Sequence, residues 1–312
     1  MIKRTLYFGN PAYLSCKLAQ LIVQLPEVEK NTSLPDAFKK EAFASIPIED
    51  IGVVLLDNQQ IILTQGLIEK LLENNVAIIS CDSKRHPLGL MLPLSGNTIQ
   101  TERYRSQIEA SEPLKKNLWR QTVKSKILNQ ATLLKTQGIQ IENMLHWADS
   151  VKSGDPNNYE ARAAAYYWAN LFGQYCKFFT RERKGMPPNN LLNYGYAILR
   201  AIVARALVGS GLLPTFGIHH HNRYNAFCLA DDIMEPYRPF LDTLVLNVVQ
   251  SKDDYSQLNP KLKAKLLGIA SSDIIIDGEN SPLMVGITRT STSLVRCLEG
   301  VQRNLHYPIF PS

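Results

Sequence analysis

Two nearby stretches of this chain carry side chains able to do chemistry together: Gly217-Ile218-His219-His220-His221-Asn222, then Leu229-Ala230-Asp231-Asp232-Ile233-Met234-Glu235-Pro236-Tyr237-Arg238-Pro239. Three consecutive histidines cannot all point one way, so only one or two can be ligands, and each titrates near neutrality when exposed. Asp232 and Glu235 stand three apart, a spacing that on a helix puts both carboxylates on one face, within reach of a single cation. A neutral imidazole beside two carboxylates suits manganese, and suits magnesium when phosphate oxygens and water complete the octahedron. Plainer readings stand beside this one. An acidic pair at this spacing is also what the solvated first turn of a helix carries. A histidine triplet is also a surface loop or a zinc site, and Arg238 can pair with Glu235 as readily as with a phosphate.

Upstream, Asn158-Tyr159-Glu160-Ala161-Arg162-Ala163-Ala164-Ala165 puts one carboxylate at the start of a small-residue helix. Taken by itself, Glu160 reads as a first-turn acid with a structural role.

The elements that must position these groups fall into two halves. Leu6-Tyr7-Phe8, Ile51 to Leu56, Gln60 to Leu63 and Val76 to Ser80 are short β-branched and aliphatic runs separated by Asn, Asp, Gln and Gly, a strand pattern. Thr64 is placed to cap a helix carrying Leu67, Ile68, Leu71 and Leu72. Pro87, Pro93 and Gly96 break both periodicities, so the boundary is expected between about 85 and 100. Beyond it the pattern is helical. Leu118, Val123, Ile127, Leu128 and Ala131 recur at helical intervals with Arg120, Lys124 and Lys126 between them. Asn157 or Asn158 is placed to cap a helix from about Tyr159 to Phe179. Asn189 or Asn190 is placed to cap another that runs to about Val208, apolar on nearly every side and so expected at the centre of its domain. Pro236 and Pro239 suit a helix start or a kink. The end of the chain, Tyr-Pro-Ile-Phe-Pro-Ser, is expected to be loosely held. The fold class is therefore α+β: a small N-terminal β-rich domain over 1–90, then a larger all-α domain over 91–312.

At 312 residues, with 45% apolar and 20% charged side chains, the chain can bury two ordinary cores. A net charge of +6 makes a polyanionic partner plausible without requiring one. The five cysteines are scattered with no metal-finger spacing, which reads as buried thiols in a reducing compartment. There is no apolar signal core after Lys3-Arg4, and no stretch near the roughly 18 uninterrupted apolar residues of a membrane span. The expected location is cytoplasmic.

In order and spacing, Ile46-Pro47-Ile48-Glu49-Asp50-Ile51-Gly52-Val53-Val54, Ile61 to Thr64, Tyr159-Glu160-Ala161-Arg162, Asn193-Tyr194-Gly195-Tyr196-Ala197-Ile198-Leu199, and the Gly-x-x-His to Asp-x-x-Glu-Pro-x-Arg-Pro segment resemble the CRISPR-associated adaptation integrases, the Cas1 family. The likeness is greatest to the branch found beside Cas9 effectors and extends over nearly all the chain. It implies a β-sandwich-like N-terminal domain, used for dimerisation and for holding DNA, and a C-terminal α-helical catalytic domain. It also implies a metal-dependent endonuclease and integrase. Such an enzyme inserts short foreign DNA fragments, the spacers, into a CRISPR repeat array by attack of a 3′-hydroxyl on a phosphodiester.

Carried over residue by residue, the family's Mg²⁺ or Mn²⁺ ligands fall on Glu160, His220 and Glu235, with His219 and His221 one residue to either side of the expected imidazole. Asp232 is then an extra ligand, an orienter of His220 or a general base. Arg162, Lys124, Lys126, Arg181, Arg183, Lys184 and Arg238 are the candidate contacts to DNA phosphates. The implied partners are double-stranded DNA (spacer precursor and repeat array), a second copy of the chain, a Cas2 dimer and the Cas9 machinery. Two other functions fit the residues: a DNA-binding scaffold without catalysis, and a metal-dependent nuclease acting on branched DNA in repair.

Overall fold

A computed structural model describes residues 3–26, 43–251 and 253–311. The chain divides into two compact units, Met1–Gly96 and Asn97–Ser312.

In the first unit the apolar runs form two four-stranded sheets. One has the order β1 (Arg4–Phe8), β5 (Ile51–Leu56), β7 (Ala77–Cys81), β8 (Pro87–Met91), and the other β4 (Phe43–Pro47), β3 (Gln20–Gln24), β2 (Ala12–Lys17), β6 (Ile61–Leu63). β5 is flanked by parallel partners and buried at five of its six positions, which is why Ile51-Gly-Val-Val-Leu-Leu56 is an unbroken apolar run and does not alternate. The β2–β3 hairpin turns through Leu18 and Ala19, both with positive φ (50° and 58°), so it lacks the Gly or Asn that would have announced it. Thr64 Oγ1 accepts the N–H of Leu67 at 3.3 Å and caps α1 (Gln65–Glu73), as its position predicted. Leu67 and Leu71 of that helix share one core with Leu14 and Leu21 of one sheet and Ile51, Val54 and Ile78 of the other.

The second unit contains α2 (Gln100–Ile108), α3 (Glu112–Thr136), α4 (Glu142–Ser150), α5 (Tyr159–Leu171), α6 (Asn189–Gly209), α7 (Cys228–Met234), α8 (Arg238–Gln250), α9 (Pro260–Leu267) and α10 (Leu283–Leu298). α6 is long and apolar enough to cross a membrane, but 83% of its most apolar stretch is buried inside the unit, so its apolar circumference serves as a core. It packs against α7, α8 and α10. Gly195 permits the close approach to α8, since a Cβ there would stand 2.6 Å from Leu241 Cδ1.

The fold departs from the sequence expectations at several points. α5 stops at Leu171, not near Phe179, because the chain turns to bury Phe172 against Trp168 and Phe179 (ring centroids 6.2 and 4.8 Å). Asn158 has a left-handed backbone (φ 53°) and caps nothing; Asp155 does so, accepting from the N–H groups of Tyr159 at 3.0 Å and Glu160 at 2.9 Å. Asn189 opens α6 without capping it. Its amide donates to the carbonyls of Thr180 and Met186, and its Oδ1 accepts from Arg181 at 2.9 Å, tying down the preceding loop.

The helical half is not all-α. It holds a hairpin, β9 (Asp273–Ile276) and β10 (Glu279–Pro282), that turns at Asp277-Gly278 with φ 55° and 78°. The end of the chain is held firmly. Ile309 exchanges two backbone hydrogen bonds with Ile275, Phe310 stacks on Phe240 at 4.2 Å, and the Tyr307 hydroxyl is 2.7 Å from that of Thr122.

Candidate active site

Three helical segments and one loop of the second unit bring the chemistry together. Glu160 lies in the first turn of α5, held there by the Asp155 cap. Glu235 opens a short 3₁₀ turn, Glu235–Tyr237, that separates α7 from α8. Pro236 falls inside that turn and Pro239 in the first turn of α8, where proline interrupts no helical hydrogen bond. α3 supplies Lys126. The loop before α7 supplies the histidines.

Lys126 is the centre of the arrangement. Its Nζ lies 2.6 Å from Glu235 Oε2 and bonds Glu160 Oε1, and the residue is only 7% exposed. Arg238 reaches the other oxygen of Glu235 at 2.9 Å. Burial opposes ionisation of Glu235, but Arg238 and then Lys126 outweigh it and hold the carboxyl below its ordinary range. Burial likewise works against the charge on Lys126, and Glu235 and Glu160 overcome it, so the ammonium is retained.

The histidine loop is organised by Asp232, which is fully buried. Asp232 Oδ2 accepts the N–H of His219 at 2.9 Å; Oδ1 accepts that of His220 at 3.3 Å and also bonds the Nδ1 of the His220 ring. That leaves Nε2 of His220 as the nitrogen not taken by Asp232. The hydrogen bond to Asp232 raises His220 above the ordinary histidine range, against the effect of burial. His219 is turned onto the indole of Trp119, stacked at 4.1 Å with the rings parallel to within 1°, and burial lowers its basicity. His221 is exposed and lines, with His220, Phe216 and Asn222, a cavity of about 320 Å³ beside the site. Gly217 is required for the loop to close, since a Cβ there would meet the carbonyl oxygen of His220 at 2.4 Å and Asp232 Oδ2 at 2.7 Å.

Asp232 and Glu235 therefore do not converge on one cation, because the helix ends between them at Met234 and each turns to different partners. With the Lys126 ammonium standing between Glu160 and Glu235, no three His, Cys, Asp or Glu side chains among the described residues lie together in metal-binding range as they stand. The two carboxylates that do converge, Glu160 and Glu235, share an ammonium.

The cations expected on a DNA surface divide into two groups. Lys126, Arg181 and Arg238 turn inward: Lys126 to the two glutamates, Arg181 to the side chains of Asn189 and Asn193, and Arg238 to Glu235 and the face of Tyr196, 4.7 Å from its centroid. Each is thus spent on partners within the protein. Arg162, Arg183 and Lys184 are exposed, with Arg162 over the ring of Tyr159 at 5.3 Å, and Lys124 pairs with Asp149 at 2.9 Å on the surface.

Sequence reasoning assigned Lys126 to the DNA surface, whereas it lies between Glu160 and Glu235, and it overlooked Trp119 and Asp155. The signal for Lys126 was present, since Trp119, Thr122, Val123 and Lys126 share one helical stripe and the first three are buried. Sequence reasoning also passed over Asp242, which lies fully buried under the site. It accepts from the hydroxyls of Tyr196 at 2.6 Å and Tyr167 at 2.7 Å, and burial pushes it up to about 6.

A family model described as CRISPR associated protein Cas1 matches residues 9–267 of this chain. The chain belongs to the Cas1 family. This Cas1 is 34% identical over 295 residues to the CRISPR-associated endonuclease Cas1 of Neisseria meningitidis serogroup C, strain 8013, an alignment covering 94% of this chain and 91% of that one. It is an endonuclease of that family. Among solved structures its fold is similar to a casposase bound to integration product (TM-score 0.76, 19% identity, covering 98% of this chain and 92% of that chain). It is also similar to a Cas6-RT-Cas1–Cas2 complex (TM-score 0.72, 19% identity, 97% and 36%). Those two likenesses are of fold.

Proposed function

We propose that this Cas1 inserts short duplex DNA fragments into a CRISPR repeat array by transesterification, using a divalent cation held by Glu160, Glu235 and His220. The observation that carries the reading is the meeting of Glu160 and Glu235, from separate helical segments, on the one buried ammonium of Lys126. Oxygen donors so arranged suit Mg²⁺ or Mn²⁺. The imidazole also has the right surroundings. A ligating histidine characteristically gives its second nitrogen to a carboxylate, and Asp232 occupies that place behind His220. Asp232 is accordingly assigned as the residue that orients His220.

Bound there, the divalent ion would supply charge neutralisation at the phosphorus and orientation of the attacking 3′-hydroxyl. The chain's own residues do the rest. Glu160 and Glu235 set the position of positive charge, the Asp155 cap fixes the first turn that carries Glu160, and Trp119 with Asp232 holds the histidine loop against the site. Arg162, Arg183, Lys184 and Lys124 offer charge to DNA phosphates on the surface.

The reading extends to the assembly: a second copy of the chain, Cas2, and a β-rich, sandwich-like first unit that dimerises and holds the duplex. A structural neighbour solved as a complex with Cas2 supports the second of these. The 34% identity to the Neisseria relative over 94% of this chain supports the branch that works beside Cas9, and the reading puts the protein in the cytoplasm.

The test is to replace Glu160 by Gln, or His220 by Ala, and assay strand transfer and DNA binding separately with Cas2 present. Transfer lost with near-normal binding supports the assignment. Transfer retained excludes it and leaves a DNA-binding scaffold as the reading. Cleavage of branched DNA with no joining to a repeat array points instead to a repair nuclease.

A further inference from the structure

Lys126 has no place in the ligand set, yet it stands where the ligands converge. Its ammonium bonds Glu160 and lies 2.6 Å from Glu235, and α3 holds it 7% exposed on the same stripe as the buried Trp119, Thr122 and Val123. A lysine is rarely so buried unless paired, and here both of its partners are the proposed ligands. Glu160 and Glu235 contribute two negative charges, which Lys126 and Arg238 together balance. Asp232 lies behind His220 and is spent on the histidine loop.

A divalent ion binding between these carboxylates would bring two further positive charges beside an ammonium already within contact distance of both. At these separations the ion and the ammonium would repel each other strongly even at an effective dielectric of about 20. Removing one glutamate from the lysine is not enough to relieve that, because the other still binds it. A phosphodiester would relieve it, supplying negative charge to the ion and an acceptor for the displaced ammonium.

We propose that Lys126 is the resident counterion of the Cas1 site: it holds Glu160 and Glu235 together before a divalent ion arrives, and it must withdraw for the ion to bind. The inference rests on the reading of those two glutamates as the ion's ligands. Its consequence is order. Metal alone binds weakly, and metal and DNA phosphate each favour the other's binding. Lys126 is on this account a positioning residue, and its long side chain lets it exchange a carboxylate for a phosphate oxygen without movement of α3.

The experiment is a titration of the full-length protein with Mn²⁺, followed by the paramagnetic signal of the free ion, with and without a short DNA duplex. Lys126→Met is expected to bind Mn²⁺ alone about tenfold more tightly than wild type or better, since one repelling charge has gone. The duplex is expected to tighten Mn²⁺ binding in wild type and to do so much less in that variant. Lys126→Arg, which keeps the charge, stays near wild type. Should Lys126→Met fail to fold, Lys126→Gln removes the charge while keeping a donor and carries the same expectation. Glu160→Gln and Glu235→Gln are the controls. If neither weakens Mn²⁺ binding, the ligand reading falls and this inference with it. If both weaken it while the uncharged Lys126 variants bind no tighter than wild type, the resident counterion alone is refuted.

Discussion

Asp155 and Glu160 are joined through the backbone: Oδ2 of Asp155 accepts the N–H of Glu160 at 2.9 Å, so the cap of α5 and the proposed ligand are one local unit. Asp155→Ala removes the acceptor for two N–H groups at a helix start. The expected cost is about 1–2 kcal/mol of stability, read as a lower midpoint in thermal unfolding. Strand transfer should fall by more than the loss of folded protein explains, because the first turn that carries Glu160 is no longer fixed.

Gly217 is the residue that lets the histidine loop fold over Asp232. Gly217→Ala places a methyl group against a carbonyl oxygen and a carboxylate, neither of which is a flexible side-chain end free to move aside. The variant should fold, with the loss of about 1–3 kcal/mol usual for overpacking, and show strand transfer reduced at least as far as by loss of the stack in Trp119→Ala. Wild-type transfer by the alanine variant would show that the loop's closure does not matter to the reaction.

The Tyr196–Asp242–Tyr167 cluster predicts a pH dependence of stability. Burial raises Asp242 to about 6 in the folded chain, above its unfolded value, so between about pH 4 and pH 6 the folded state binds more protons than the unfolded state. Stability is therefore lost as pH rises through that window and is level above it. Compared with Asp242→Asn by denaturant unfolding, wild type should lose on the order of 2–3 kcal/mol between pH 4 and pH 7. A difference between the two that stays constant over that range would contradict the assignment.

Arg183 and Lys184 are exposed and precede α6, unlike the inward-turned Arg181 beside them. Replacing both by Ala should weaken duplex binding across all sequences. It should also lower the slope of log affinity against log salt by about one for each phosphate that is no longer neutralised, measured by fluorescence anisotropy at several salt concentrations. An unchanged slope would remove these two residues from the DNA surface.

Much of this protein was legible from local pattern alone. The parallel strand Ile51–Leu56 announces itself as an apolar run and Thr64 as a cap, and the all-round apolarity of Asn189–Gly209 places it at a core. These are short-range consequences of residue type. Glu160, by contrast, gave no local sign of a function, and only its resemblance to a family picked it out. The capping role went to Asp155 instead of Asn158 because the turn closed by the Asn158 N–H on the Asp155 carbonyl brings the aspartate carboxylate to the N–H groups of Tyr159 and Glu160, a detail that the identities of the two residues do not encode.

Residue order was thus enough to determine the two halves of the chain, the α6 core and the set of acidic and imidazole groups, since each follows from hydrophobic periodicity or from residue identity within a few positions. What the tertiary structure decided was who faces whom: Lys126 turned in between Glu160 and Glu235, Asp232 given to the histidine loop, and the end of the chain fastened by Ile275 and Phe240. Those pairings bring together residues far apart along the chain. Charges and ring faces choose such partners only when packing has brought them within a few ångströms, where a buried ion must find its counterion or give up its charge.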